Sequence, residues 1–549
     1  MTTTIIGSPG ASRAAGSPRR ALARSVTALL AAVLPAAMLS GCIGAPGADE
    51  SKTLHVLAGS EVKDMQPILD EMEAETGVHL EFEFTGTLDG TEKLLAEGED
   101  APWQATWFPS NSYLSLFPET ELLVTAETSI MRSPVVLGVK PEVADRLGWT
   151  EADQPAWQEV VDAIEAGELS YGMTSPVSSN SGFTTLVQAA TALSGTGTVL
   201  EADDIEAVTE PLTAFAAGQK LTSGSSGWLA EKFAEDPDAA DAIFNYESVL
   251  QTMSVAGEPL RVVIPSDGVV TSNYPLTLLS SAGEEKAELY RQAVAYLSGD
   301  EVQQRIADLT KRRTSATASG GASGQVFELP FPARLETVQQ LLEVWLSEAR
   351  KPANMVFAID TSGSMGEGSR MEDLREALHV LVGDQSGGST GFLRLKPRER
   401  ITLLEFSHEE KSQLTVDVPE DEAGFDAAMQ RLNDRIDAYW PDGGTDIYGT
   451  TIDALELAAR EAGDDRITSV VLFTDGQHTE ELNAADFAAW YERAVARVPV
   501  IGEIPVFAVV FAEADQEEME RLAETTGGRA FQAGQDSLSS VFREIRGYL

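Results

Sequence analysis

Apolar positions along this chain keep two rhythms, short continuous or alternating runs of strand length and longer stretches of helical spacing, and the two follow one another in order. Thr53 to Ala58 has the length of a buried strand. Val62, Met65, Ile68, Leu69 and Met72 then recur at helical spacing until Gly77 stops them, and Leu80, Phe82 and Phe84 alternate as a strand does. Strand, helix, strand is the βαβ pattern. The second half repeats it: Met355 to Ile359 is an apolar run, and Leu374, Ala377, Leu378 and Leu381 predict a helix. A strand over Ile401 to Phe406 is followed by a helix carrying Phe425, Met429, Leu432 and Ile436. Gly443-Gly444-Thr445-Asp446 opens a helix through Ile452 and Leu455, and Val470 to Phe473 is a strand that ends just before Asp475. Val506 to Phe511 is another strand, Met519 and Leu522 lie on a helix stopped by Gly527-Gly528, and Leu538, Val541, Phe542 and Ile545 predict a last helix. The expectation is an α/β protein whose C-terminal part is a doubly wound, mostly parallel sheet.

Breaks in the rhythm predict the domain organisation: a leader over 1–41, a flexible tether over 42–52, a first domain over 53–325, a connecting segment over 326–352 and a second domain over 353–549. Thr314 to Gly324 is rich in Gly, Ser and Ala and lacks periodicity, which marks the boundary. Glu336 to Arg350 is amphipathic, with Val338, Leu341, Leu342, Val344 and Trp345 on or near one face, and is expected to dock the two domains. At 549 residues and 43% apolar content the chain has material for several buried cores.

Residues 1–48 hold no acidic residue, and Arg19, Arg20 and Arg24 precede the apolar run Val26 to Leu39. Basic residues before a short apolar run are a secretion signal, and the run falls short of the ~20 residues of a spanning helix. Arg19-Arg20 leaves Sec and twin-arginine export both open. Leu39-Ser40-Gly41-Cys42 resembles a bacterial lipobox. That resemblance implies cleavage before Cys42, acylation such as palmitate on its sulfur and new N-terminus, and a lipid-anchored protein on the extracytoplasmic face of the cell membrane. Cys42 is the only cysteine, which excludes disulfides, thiol catalysis and cysteine metal sites. Formal charge is -48, and -52 from Cys42 onward because the four basic residues before it are lost. Such an excess of acid makes nucleic acid an improbable partner and favours cations and basic surfaces.

Polar oxygens gather where the C-terminal strands end. Asp360-Thr361-Ser362-Gly363-Ser364 follows the first of these strands, Thr445 lies in a Gly-rich turn and Asp475 follows another strand, the edge at which open α/β sheets bind ligands. Asp360, Ser362, Ser364, Thr445 and Asp475, in this order, look like the metal-ion-dependent adhesion site of von Willebrand factor A (VWA) domains, and the resemblance covers residues 353–549. It implies that Ser362, Ser364 and Thr445 offer hydroxyls directly to an ion while Asp360 and Asp475 act mostly through bound waters. Oxygen-only donors suit hard cations, and a tight octahedral site favours Mg²⁺, with Ca²⁺ or Mn²⁺ as the alternatives. Neutral direct ligands would leave the ion positive enough to attract an acidic side chain from a protein partner. The competing reading has the two aspartates only capping helices.

In the first domain, Ala58 to Glu61, Gly86-Thr87, Trp107 to Asn111, Ser133 to Val139, Thr174 to Gly182 and Phe244 to Glu247 together resemble a two-lobe bacterial periplasmic solute-binding protein, over roughly 53–325. The resemblance implies a cleft for a small polar or anionic solute, lined by small polar residues at strand ends and helix N-termini. Ser60, Thr87, Ser110, Ser133, Ser178, Ser181 and Asp267 are the candidate contacts, with helix capping as the alternative role for each. No aromatic clamp or acid pair narrows the solute class.

Enzymatic motifs are missing. Five histidines make a histidine metal site improbable, His408-Glu409 lacks the second histidine of a zinc protease motif, and neither a nucleophile elbow nor a phosphate loop is present. Asp236, Asp238 and Asp241 lack the glycine and terminal glutamate of a calcium loop. The chain reads as a non-enzymatic surface lipoprotein that binds a partner through a Mg²⁺-dependent adhesion site. The alternative is the solute receptor of an ABC-type importer, with the second domain as a docking or regulatory module.

Overall fold

The computed structural model describes residues 50–318, 326–383, 393–463, 465–511, 516–533, 541–542 and 545–546. The leader, Cys42 and most of the tether lie outside the described residues, as does the stretch 319–325 of the expected boundary.

Strands β1 (Thr53–Ala58), β2 (His79–Phe84), β3 (Ala105–Trp107) and β4 (Val124–Ser129) begin a first lobe. A second lobe is formed by β5 (Ser133–Val139), β6 (Tyr171–Thr174), β7 (Gln219–Ser223), β8 (Ala242–Tyr246), a small hairpin of β9 (Ser254–Val255) and β10 (Glu258–Pro259), β11 (Arg261–Val263) and β12 (Thr271–Ser272). The chain then returns to the first lobe as β13 (Pro275–Leu279). Sheet order is β2-β1-β3-β13-β4 in the first lobe and β11-β5-β8-β6-β7 in the second. Within 53–279 the chain therefore crosses twice between the lobes, after Ser129 and after Ser272. Arg132 and Arg313 exchange backbone hydrogen bonds of 2.7 and 2.8 Å beside one crossing, and Tyr274 in the other takes a positive φ of 40°, a conformation that non-glycine residues rarely adopt.

The helices used below are α1 (Gln66–Thr76), α2 (Thr87–Glu97), α3 (Trp157–Glu165), α4 (Asn180–Leu193), α5 (Ala202–Ala217) and α6 (Ser226–Glu235). Val62 and Met65 precede α1 in a 3₁₀ turn rather than in the helix itself. Pro67, in the first turn of α1, fits the difference: it has no N–H to bond backward and suits a helix start, and the α-helix begins beside it at Gln66. Leu54, Val56, Met65, Ile68, Met72, Trp107 and Leu276 form the first lobe's core.

The amphipathic stretch after residue 326 is α7 (Leu335–Val344), continued by a π-helical turn Trp345–Ala349. Its apolar face, Val338, Leu341, Leu342 and Trp345, is buried in the second lobe's core with Phe215 and Phe244. Burial of each such side chain contributes roughly 1.5–3 kcal/mol, so the segment belongs to that lobe.

From Ala353 a third sheet is built of β14 (Ala353–Asp360), β15 (Arg400–Phe406), β16 (Glu410–Asp417), β17 (Ile467–Thr474), β18 (Val506–Val510) and β19 (Ala530–Gln532), in the order β16-β15-β14-β17-β18-β19. All pairs are parallel except the edge hairpin β15–β16. Strand β14 is buried along its whole length. Its Met355, Phe357 and Ile359 face α8 (Arg370–Val382) and α9 (Glu422–Asp437), while Val356 and Ala358 face α10 (Ile447–Glu461) and α11 (Gln516–Thr525). A central strand covered on both faces must be apolar throughout, which explains the unbroken run in the sequence. Of the expected last helix, Val541, Phe542 and Ile545 are buried against this core, while Leu538 lies outside the described residues.

Candidate metal centre and interlobe cleft

Asp360 ends β14, and its neighbour Thr361 donates a backbone hydrogen bond to Phe406 O across 2.8 Å, which turns the chain onto the end of β15. Ser362 follows, and its N–H donates to Asp360 Oδ1 across 2.8 Å, while its Oγ lies 3.1 Å from Ser364 Oγ. The Gly-rich loop reaches this turn through its backbone. Gly363 N donates to Gly443 O (3.0 Å) and Asp442 N to Thr361 O (2.9 Å), and Gly443 has the positive φ of 83° that glycine tolerates. Thr445 is clamped by Thr479: its N–H donates to Thr479 Oγ1 (2.8 Å) and its carbonyl accepts from Thr479 N (3.0 Å), so the threonine hydroxyl takes no part in the clamp. Asp446, next in sequence, caps α10 by accepting from Gly449 N at 2.9 Å.

Thr474 closes β17 and donates to Asp360 Oδ2 across 2.6 Å, which brings the following Asp475 beside Asp360. Both carboxylates have no solvent exposure. Burial pushes the Asp360 carboxyl up to about 6, with a further push from the Asp475 charge, against the hydrogen bonds from Thr474 and Ser362. The structure therefore brings the strand-end aspartates and the Ser362/Ser364 hydroxyl pair together, and ties the Thr445 loop to the same turn. Two buried carboxylates close enough to repel are the surroundings a divalent cation relieves. Among the described residues no three His, Cys, Asp or Glu side chains converge as a metal-binding group, so an ion here depends on the hydroxyls as well as on the two acids. The residues fit a hard, oxygen-coordinated cation in donor type and in charge.

One charged group in this centre is not evident in the motif. Arg370 Nη1 donates to Asp475 Oδ2 and to Ser364 O, both across 2.9 Å. The sequence does carry a signal. Arg370 is the first residue of α8, where the helix dipole disfavours a cation, so the residue answers to something other than its own helix.

Facing loops of the two lobes touch one another. Ser226 Oγ, at the start of α6, donates to Glu61 Oε1 across 3.1 Å. A Cβ on Gly86 would lie 2.5 Å from Ser178 O, so the approach of the lobes requires glycine there. Burial raises the Glu61 carboxyl above the usual range, opposed by hydrogen bonds that include Ser226 and by the Arg312 charge. Arg312 is itself buried, held by both oxygens of Asp64 at 2.7 Å and stacked 4.7 Å from the Tyr274 ring centre. Glu61 and Gly86 fall in the segments that carry the solute-binding resemblance but not among the candidate contacts, and Ser226 lies outside both.

The seven expected cleft residues divide. Ser60 and Thr87 open helical segments directly after Gly59 and Gly86. Ser178 is buried and its hydroxyl makes no hydrogen bond among the described residues. The others are committed inside their own lobes: Ser110 bonds Ser112 at 3.0 Å, Ser133 bonds Ser248 at 3.2 Å, and Ser181 bonds Thr174 at 2.8 Å. Asp267 accepts from Trp157 N, at 3.1 Å, and so caps α3.

Residues 355–477 match the model of the von Willebrand factor type A domain, and residues 54–308 that of the bacterial extracellular solute-binding proteins. Inter-alpha-trypsin inhibitor heavy chain H4 of Sus scrofa is 27% identical over 206 residues, 36% of this chain and 20% of that protein. The chain thus spans about a fifth of that relative's length. Similar solved structures include the periplasmic binding protein AfuA from Actinobacillus pleuropneumoniae with fructose-6-phosphate, at 13% identity and a TM-score of 0.41 over 54% of this chain and 99% of that one. Iron-bound HitA from Pseudomonas aeruginosa is similar at 19% identity and a TM-score of 0.40, over 53% and 99% of the two chains. The chain carries a two-lobe, periplasmic-binding-protein-like domain followed by a VWA domain with a central mixed sheet.

Proposed function

We propose that this protein is a lipid-anchored receptor on the extracytoplasmic face of the membrane that captures a protein partner through a divalent cation, Mg²⁺ before Ca²⁺ or Mn²⁺, in its VWA domain. One observation carries the reading: two fully buried carboxylates, Asp360 and Asp475, stand side by side at the ends of neighbouring strands with hydroxyls around them. Asp360, Ser362, Ser364, Thr445 and Asp475 would hold the cation, which when bound supplies a positive charge for a partner's acidic side chain. The chain's own part is to fix the donors: Thr474 orients Asp360, Thr479 fixes the Thr445 backbone, and Gly443 couples the two loops. The lipobox-like Leu39 to Cys42 and the match to bacterial extracellular solute-binding proteins favour the location.

Partner capture from cell-surface extracts by the mature protein tests the reading. It is run with Mg²⁺, with a chelator, and with Asp360→Ala, and capture is expected only with both the metal and Asp360. Capture indifferent to both would discard metal-bridged binding.

A second reading, a solute receptor for an importer, is favoured by the buried and unbonded Ser178 hydroxyl at the contact between the lobes. A cleft solute must raise the melting temperature in a thermal-shift screen, and a library of polar and anionic solutes that leaves it unmoved would count against this role. Neither site is read as catalytic.

A further inference from the structure

The Arg370 side chain sits in the metal centre although no metal motif asks for it, and its two contacts are made by one nitrogen, to Asp475 Oδ2 and to Ser364 O. Asp475 is fully buried, while the Arg370 side chain is about a fifth exposed, at 22%. Glu367 approaches the same nitrogen from outside at 3.7 Å and is itself largely exposed, so its pull is screened. Arg370 also begins α8, whose first turn carries the acids Glu372 and Asp373 that suit a helix start. The arginine gains nothing from its helix, and the two groups it hydrogen-bonds both belong to the candidate metal centre.

We propose that Arg370 is a resident cation of this centre, one that loosens the hold on a metal ion and so leaves a bound ion more positive toward a partner's carboxylate. The inference rests on the metal-site reading above. Charge counting carries it. Asp360 and Asp475 together bear two negative charges, enough to cancel a divalent cation. With the Arg370 guanidinium on Asp475, the protein offers one net negative charge, and the loaded centre keeps one positive charge. In a buried, low-dielectric site that residual charge is felt strongly. It opposes entry of the ion and favours a carboxylate arriving from outside. The same pair gives the metal-free fold a partner for Asp475, so that Asp360 and Asp475 do not face each other unneutralised.

Isothermal titration of Mg²⁺ and of Mn²⁺ into the full mature chain in detergent, with melting curves in chelator, tests this. The wild type is compared with Arg370→Lys, Arg370→Gln and Asp360→Ala. Arg370→Gln is expected to bind the ions at least tenfold more tightly than the wild type and to melt lower in chelator. Arg370→Lys, whose compact ammonium is better hydrated and pairs more weakly, is expected to fall between the two. A purely structural arginine would give the reverse, because its loss would loosen the donors and weaken ion binding. Equal or weaker ion binding by a folded Arg370→Gln overturns the proposal. If that variant does not fold, Arg370→Lys decides, and an affinity no tighter than the wild type overturns it. Wild-type binding that disappears in Asp360→Ala, without tightening in the arginine variants, sinks this inference and leaves the metal site standing. Binding by none of the chains sinks both.

Discussion

A hydroxyl without a hydrogen-bond partner and a hydroxyl inside a network make opposite predictions on removal. Ser178 is buried and unbonded, whereas Ser181 bonds Thr174 at 2.8 Å. Ser178→Ala is therefore expected to leave stability unchanged or raise it by up to ~1 kcal/mol, because a buried hydroxyl without a partner carries a desolvation penalty that its removal recovers, while Ser181→Ala loses about 1 kcal/mol. Chemical denaturation of the two variants checks this, and a large loss for Ser178→Ala would show an unrecognised structural bond. Glu61 gives a pH dependence. Its carboxyl faces Ser226, Arg312, Tyr246 and Tyr274, with Asp64 beyond Arg312, and burial raises it above its unfolded value. A raised carboxyl favours the folded state most at pH values below the ordinary carboxylate range, and that contribution is lost as pH rises through the raised value. Glu61→Gln keeps an oxygen for Ser226 without the charge. It is expected to melt higher than the wild type at pH 7, with the difference vanishing in acid. No difference at either pH would mean that Glu61 is solvated in solution.

At the scale of elements, strands and their ends were legible because burial on both faces forces continuous apolar runs: β14 and β17 stand where Met355 to Ile359 and Val470 to Phe473 place them, each followed by its acid. What escaped the sequence depends on contacts between distant segments. Arg370 meets Asp475 over 105 positions, and Glu61 meets Ser226 over 165. Nothing local distinguishes Ser133 and Ser181, which serve their own lobes, from Ser178, because all three stand at strand ends or near helix starts. The connecting element was visible by its periodicity, but its attachment was not. Arg350, just past its π-helical end, donates to Glu399 Oε1 at 2.7 Å, and Arg546 donates to both Glu399 oxygens at 2.9 Å. Burial, with Arg546 adding to it, lowers the Arg350 guanidinium to about 10 despite the Glu399 charge. Glu399 is fully buried, so Glu399→Gln leaves two guanidinium groups without their counter-charge and is expected to cost about 3–5 kcal/mol. Calorimetry would register it as a lower melting temperature of the VWA domain, and an unchanged melt would mean that water reaches the triad.

Considered as a whole molecule, the solute-binding lobes and the VWA domain are joined on the side away from the metal centre. Lys232 of α6 donates to Gly527 O at 3.0 Å, Trp228 of the same helix packs against the VWA core, and Lys396 pairs with Glu343 of α7 at 2.7 Å. Gly527, Lys396 and Glu399 precede β19 and β15, at the strands' N-terminal ends, whereas Asp360, Thr445 and Asp475 gather at the C-terminal ends. The attached lobe is the second one, since α6 and α7 both belong to it, and the first lobe meets it through the crossings after Ser129 and Ser272, the chain connection leading to α7, the Arg313–Glu247 pair and the Glu61 and Gly86 contacts. Opening and closing the cleft would then move the first lobe while leaving the metal face where it is. Gly86→Val separates these motions, because a side chain there cannot coexist with Ser178 O at the present approach. The variant is expected to widen the molecule in solution scattering yet bind Mg²⁺ within about twofold of the wild type. That would make the protein a receptor whose two sites share a frame without exchanging signals. A change in ion affinity of tenfold or more on opening would instead carry a coupling free energy of about 1.4 kcal/mol, and α6, touching Glu61 at its start and the VWA core along its side, would be the element to transmit it.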